Sequence, residues 1–383
     1  IDRCADPTNG EPLVAAYSNI KSVNIVDEKT VEVVLNSPDS DFLANLTTAI
    51  IPASNENPDT NPIGTGPYKY VSRSPQENFV VEKFDEYWGT PANIENVIFR
   101  VCANADSIVM DLQGGSIDMF ARVTTTQASQ LGDQFNVLEG TMNLVQALYL
   151  NNAVEPFNDE RVRQALCYAV DPQGIMDLIS DGKGTEIGSS MFPAFEKYYM
   201  PELNDMYNQD FNKAKELLAE AGYPDGFSTT LWCSDTQVMR DSAVVIQEQL
   251  RQVGINAEVK TLESGQFQSE TGNGAHDMFI MSKTSIDPDS MLRSMYHTEA
   301  LGPSGNRCFW TTPEVDALID EASTTTDTEH AMELYAEIQS KVAEAAPLVP
   351  MAVEHLNAGM QSNVKGFGLY PGKSHYINGT YFE

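Results

Sequence analysis

The sequence predicts an α/β protein of at least two domains joined by crossing strands, and three observations lead there. Its 383 residues exceed what one ordinary core accommodates. Apolar residues alternate before about residue 150 and recur at helical spacing after it. After Gly254, Ile255, Ala257 and Val259 alternate directly behind a helical stretch, the helix-to-strand unit of an α/β sheet. With no low-complexity linker or internal repeat in view, residues near 150 and near 355 are the expected hinges.

Taken in order, Val23, Ile25, Val31, Val33 and Leu35 alternate around Asp27-Glu28-Lys29 and predict a hairpin. The stretch NPIGTGPYKYVSRSPQENFVVEKFDEYWG (61–89) holds Gly64-Thr65-Gly66, which superficially suggests a phosphate loop. No Lys-Ser/Thr pair follows, no third glycine opens a helix, and Pro67 removes an N–H donor. A turn into a second hairpin is predicted, Tyr68 to Ser72 and Phe79 to Lys83 with Ser74 to Asn78 as its loop. Asn93 to Cys102 reads as a strand, Ser107 to Gln113 as a short helix and Leu144 to Leu150 as a strand crossing between domains.

The helical texture begins at Asn158 or Asp159, capping a helix with Val162, Ala165, Leu166, Ala169 and Val170 on one face, and Asp171-Pro172 starts another. Phe211 to Ala221, Asp241 to Val253, a helix opened by Thr312-Pro313 and one from about Thr328 to Ala345 follow. Leu348 to Val353 and Val364 to Tyr370 return to strand. Asp287-Pro288-Asp289 is read as a turn after the strand Met278 to Met281.

The formal charge of −32 opposes nucleic acid and anionic lipid, so neither is an expected partner. No apolar run approaches the eighteen or so residues of a membrane helix, and the N-terminus at Ile1 shows no targeting signal. Cys4, Cys102, Cys167, Cys233 and Cys308 lack metal-ligand spacing and leave one or two bridges open, with Cys167 placed on an apolar helical stripe. The five histidines form no HExxH pair, no G-x-S-x-G elbow occurs, and acidic residues are too numerous to single out a carboxylate pair. No enzyme, catalytic residue, metal or cofactor is expected, with an acidic-cleft hydrolase as the enzyme-class alternative.

Six stretches then resemble one family in its own order: IGTGPYKY with FDEYWG, PFNDERVRQALCYAVDPQGI (156–175), FNKAKELLAEAGYPDGF (211–227), IQEQLRQVGINAEVKTLE (246–263), DPDSML (287–292) and PEVDALIDEA (313–322). The chain resembles the extracellular solute-binding proteins of bacterial peptide and nickel ABC importers, the oligopeptide- and dipeptide-binding type. The resemblance implies a two-lobed periplasmic-binding-protein-like α/β fold with mixed sheets and hinge strands, N-terminally incomplete. Residues 1–61 would be the rear of an extra domain, 62–149 the first lobe, 150–354 the second lobe, and 355–383 a return to the first. It also implies a monomer outside the cytoplasm, periplasmic or lipid-anchored, that closes on its solute and hands it to a membrane permease. Gly64 to Pro67 would be structural and touch no ligand.

The same resemblance marks the ligand positions. Dipeptide binders of this type hold the α-amino group with an Asp three residues before the Asp-Pro-Asp run, where this chain has Thr284. Their carboxylate-binding Arg falls here near Trp232 and Cys233, with Arg240 several residues later. Customary aromatics fall at Ser264 and Met281. Arg122, after the strand-like stretch 118–121, is a further candidate to line a cleft or to pair with a surface acid. These departures disfavour a dipeptide pocket and favour a longer peptide held by its backbone, with a nickel chelate or oligosaccharide as the alternative solute.

Overall fold

The computed structural model describes residues 1–6, 13–39, 42–102, 107–285, 287–370 and 376–383. They form two compact units, one of residues 1–47, 143–179 and 185–353, the other of 48–142, 180–184 and 354–383. The long strands Phe135–Leu150 and Leu348–Gln361 each run from one unit into the other.

In the first unit, strands Ser228–Ser234, Asn256–Leu262 and Met278–Lys283 are parallel, and Met278–Lys283 pairs antiparallel with Phe135–Leu150 in a register from Met278↔Leu150 to Lys283↔Val145. Side chains alternate across a strand, so each strand feeds two cores. Leu148, Leu150, Leu231, Cys233, Met278 and Ile280 face one core, with Ala165, Leu166, Ala214, Leu218, Ile246 and Leu250 from the helices Glu160–Ala169, Phe211–Glu220 and Gln237–Arg251. Val145, Ala147, Tyr149 and Phe279 face the other, with Trp232 and Met281 packed at its margin and Phe267, Leu292, Ile319 and Ile338 covering it. Burying one such large apolar side chain contributes about 1.5–3 kcal/mol, so both faces must be covered.

His276 stands just before strand Met278–Lys283 and is 1% exposed. Its Nε2 lies 3.1 Å from the Arg307 carbonyl oxygen, so this nitrogen donates and the ring is the neutral Nε2–H tautomer. Phe279, Trp232 and Phe309 surround it, and Nδ1 has no hydrogen-bond partner among the described residues. A second proton would therefore be buried unpaired, and burial pushes the imidazole pKa down to about 4.

The second unit holds a three-stranded antiparallel sheet, Tyr68–Ser74, Asn78–Lys83 and Asn96–Arg100. Strand Met119–Val123 pairs with Leu348–Gln361. Helices Ile108–Gln113 and Thr125–Leu131 close a core of Ile108, Leu112, Val123 and Leu131. Gly359 is required there, because a Cβ would sit 2.6 Å from Leu131 Cδ1. The glycines of 61–70 have no such role: a Cβ at Gly64 or Gly66 meets nothing within 4 Å. What holds this stretch is its link to FDEYWG, through Trp88 Nε1–H donating to the Thr65 carbonyl (3.0 Å) and Phe84 N–H to the Pro67 carbonyl (2.9 Å).

Most of the expected elements are present, and the differences have physical reasons. Helix Gln237–Arg251 starts a turn before Asp241, which is not its cap but accepts from Gln237 Nε2 (2.7 Å) inside the helix. Asp287-Pro288-Asp289 opens helix Pro288–Tyr296 instead of making only a turn, with Asp287 accepting from the Ser290 N–H (2.7 Å). Helix Thr125–Leu131, closed by a Thr124–Gln127 capping box, and helix Ser264–Gly272 are short and weakly patterned and escaped the sequence reading. The crossing strands extend well beyond Leu144 to Leu150 and Leu348 to Val353, whereas the strand expected over Val364 to Tyr370 ends at Lys365, paired with Tyr381–Phe382. All five cysteines are free thiols, so neither of the bridges left open by the sequence forms.

Two outcomes follow. Ile246→Ala, at a fully buried position, should lower unfolding stability by about 2–5 kcal/mol in urea; Val244→Ala, two residues away and 57% exposed, should change it by less than about 0.5 kcal/mol. The unfolded chain binds a proton at His276 more readily than the folded one, so stability is full above the model-peptide pKa of 6.5 and is lost as pH falls towards 4. The loss approaches about 3 kcal/mol, and denaturant melts across that range should show a flatter slope for His276→Gln.

Candidate functional site

Ligands of open α/β sheets collect outside the carboxyl ends of parallel strands. In the first unit that edge is made by the ends of Ser228–Ser234, Asn256–Leu262 and Met278–Lys283. Five of the six residues singled out by the sequence lie on these strands or just beyond them. Trp232 is half-buried and sits opposite Phe279 in the ladder; its Nε1–H donates to Thr230 Oγ1 (3.0 Å) and Lys260 Nζ lies 5.9 Å from its ring centroid. Met281 is two residues further along the same face, also half-buried. Thr284 follows the strand and is exposed, and Ser264 is the exposed first residue of helix Ser264–Gly272.

Arg240 is committed locally. Its Nη1 donates to the Asp235 carbonyl and its Nη2 to Gln237 Oε1 (2.6 Å), so it braces the loop ahead of its own helix. Arg122 belongs to the other unit, where it is exposed on strand Met119–Val123 next to buried Val123.

Two cations that no sequence motif marks lie on the face that carries Met281. Lys283 ends its strand on the same face as Met281 and is half-buried. Its Nζ lies 3.3 Å from where a Cβ at Gly305 would stand, a position whose φ of +144° favours glycine. Arg307, two residues on, donates through Nη1 to Gln268 Oε1 (2.6 Å) and Thr271 Oγ1 (2.9 Å) and approaches Met281 Sδ at 4.0 Å. Burial pushes the Lys283 ammonium pKa down to about 8, and the Arg307 charge pushes the same way. Neither cation makes an ion pair with a described residue.

Three carboxylates near this edge are engaged locally, Glu263 among them as the cap of helix Ser264–Gly272, while Asp235 just after strand Ser228–Ser234 is exposed. Asp287 accepts from the N–H and hydroxyl of Ser290 as a helix cap, and Asp289 pairs with Arg293 at 3.4 Å. No described group of three or more His, Cys, Asp or Glu residues could hold a metal. An interior cavity behind the sheet, lined by Ser189, Ser190, Tyr296 and Gln339, has about 20 Å³ for solvent, room for one water and no solute. The edge thus offers a half-buried aromatic, a thioether, a hydroxyl and two cations, a surface suited to holding a polar solute.

The family model of the bacterial extracellular solute-binding proteins, family 5 (middle), matches residues 1–302. The chain is 30% identical over 394 residues to the glutathione-binding protein GsiB of Salmonella choleraesuis, covering 97% of this chain and 76% of that protein. Among solved structures, the periplasmic binding protein DppA of Helicobacter pylori in complex with the peptide STSA superposes with a TM-score of 0.84 at 27% identity, over 97% of this chain and 75% of that one. The dipeptide-binding protein of Pseudoalteromonas sp. SM9913 with Met-Leu gives 0.85 at 26% identity, over 97% and 77%. The fold is therefore the α/β fold of the periplasmic binding proteins, and the chain belongs to the bacterial extracellular solute-binding proteins, family 5.

Proposed function

We propose that this chain is the extracytoplasmic solute-binding subunit of an ABC importer and that its solute is a peptide longer than a dipeptide. The observation that carries the reading is the edge around Trp232, Met281 and Thr284 in a chain of this family. It offers apolar surface and hydroxyl groups, but the nearby carboxylates Asp287 and Asp289 are already engaged. A dipeptide relies on its two termini, and an ammonium without a carboxylate forgoes a charge-assisted hydrogen bond of about 1.5–3 kcal/mol. A longer peptide compensates with backbone hydrogen bonds and side-chain burial.

In this reading residues 62–149 and 355–383 form one lobe and 150–354 the other, although residues 1–47, expected on the first lobe, cluster with residues 143–179 and 185–353. The hinges are the crossing strands Phe135–Leu150 and Leu348–Gln361, and the lobes close on the peptide. The protein works as a monomer in the periplasm or tethered by lipid outside the membrane, passing its peptide to a permease without chemical change. No nucleic acid takes part.

A thermal-shift screen against peptides, oligosaccharides and nickel chelates tests this: a peptide at a hundred times its Kd adds about 2.7 kcal/mol of stability. Stabilisation by sugars or chelates alone would sink the peptide reading, and turnover of the stabilising ligand would make the protein an enzyme. Thr284→Asp should tighten binding of dipeptides with free N-termini by about tenfold or more over their N-acetylated forms, as calorimetry would show.

A further inference from the structure

We infer that Lys283 and Arg307 together anchor a carboxylate of the bound solute, so that the protein selects peptides carrying an accessible negative charge. This rests on the solute-binding reading above. The chain has 55 acidic residues against 23 Lys and Arg, so a cation of this protein has no shortage of partners. Arg293, for example, meets Asp289 and Asp320. Lys283, at the end of its strand, and Arg307, whose guanidinium reaches Met281 on the same face, are both half-buried, and among the described residues neither has a carboxylate.

Arg163 shows what a purely structural buried arginine looks like here. It too lacks an ion pair with a described residue, but its Nε and Nη2 donate to the Ala345 carbonyl at 3.0 and 2.8 Å and its Nη1 to the Phe157 carbonyl at 3.0 Å. Each of its three nitrogens donates to a carbonyl. Arg307 uses only Nη1, on Gln268 and Thr271. Those two bonds hold the guanidinium in place while Nε and Nη2 have no hydrogen-bond acceptor among the described residues. A guanidinium presents such donors in the geometry of a carboxylate, and an ammonium adds a point charge. The Lys283 ammonium lies beside Gly305, two residues from Arg307, where a Cβ would crowd it. Two cations held in one place at the expense of hydration are an arrangement that an incoming anion relieves.

The test uses tri- to pentapeptides in three forms: a free C-terminal acid without acidic side chains, a C-terminal amide with one Glu, and an amide with none, alongside glutarate and citrate. Binding is read by calorimetry on the wild type and on Lys283→Met and Arg307→Met. At least one carboxylate-bearing form should bind about tenfold or more tighter than the neutral amide, and each Met variant should lose at least that factor. Preference for the free acid places the C-terminus at the pair; preference for the Glu amide places a side chain there.

Equal binding of the neutral amide, or unchanged binding in the variants, overturns the anion site and leaves the peptide reading standing. Binding of citrate or glutarate but of no peptide, with the same losses in the variants, upholds the anion site and overturns the peptide reading. If nothing binds, both fall. Lys283→Met should melt at or above the wild-type temperature without ligand, because it removes a cation that has no ion pair among the described residues. A lower melting temperature assigns that cation a structural role and overturns the proposal for it, while Lys283→Arg and Arg307→Lys, which keep the charge, should retain binding.

Discussion

The structure depends on one constraint, the two-residue period of the strands at the centre of the first unit. From Val145 to Leu150 every side chain is buried, so each strand must find cover on both faces. Leu148 and Leu150 turn to one set of helices while Ala147 and Tyr149 turn to another, and Ile280 and Phe279 repeat the division on the neighbouring strand. The stacked rings of Tyr149 and Phe279, 4.8 Å apart, lock the register on the second face. Where the parallel strands run out, the same face carries Trp232, Met281 and Lys283 to the sheet edge. The candidate site is the continuation of a core.

Electrostatics there run against the character of the whole molecule. A chain of net charge −32 disfavours anions at long range, yet at short range Lys283 and Arg307 stand by Met281 while Asp287 and Asp289 are turned to other tasks. Asp287 caps a helix and Asp289 meets Arg293. Local desolvation and hydrogen bonding, not net charge, decide what such an edge accepts. The contrast between Arg163, wrapped in carbonyls, and Arg307, bound on one nitrogen only, is invisible in any charge total.

Burial also fixes the protonation of titratable groups inside the first unit. His276, at the amino end of strand Met278–Lys283, is buried against the Arg307 carbonyl, and burial keeps it neutral. The free thiols Cys167 and Cys308 are pushed up to about 12, far from the thiolate that nucleophilic chemistry uses. Rigid packing behind exposed Thr284 and Ser264 suits reversible recognition.

Sequence alone determined the α/β class, the two textures and the family, because alternation, helical spacing and motifs such as FDEYWG and DPDSML are local properties of the chain. It also picked out Trp232, Met281 and Thr284 near one sheet edge by resemblance. Long strands interrupted by polar residues, and helices as short as Thr125–Leu131, carry too little periodicity to read. The tertiary structure decided which charges have partners. It brought Arg307 to Met281 across 26 positions and set Lys283 beside Gly305. Hydrogen-bond saturation and desolvation arise between residues distant in the chain, so they exist only once the strands have been laid side by side.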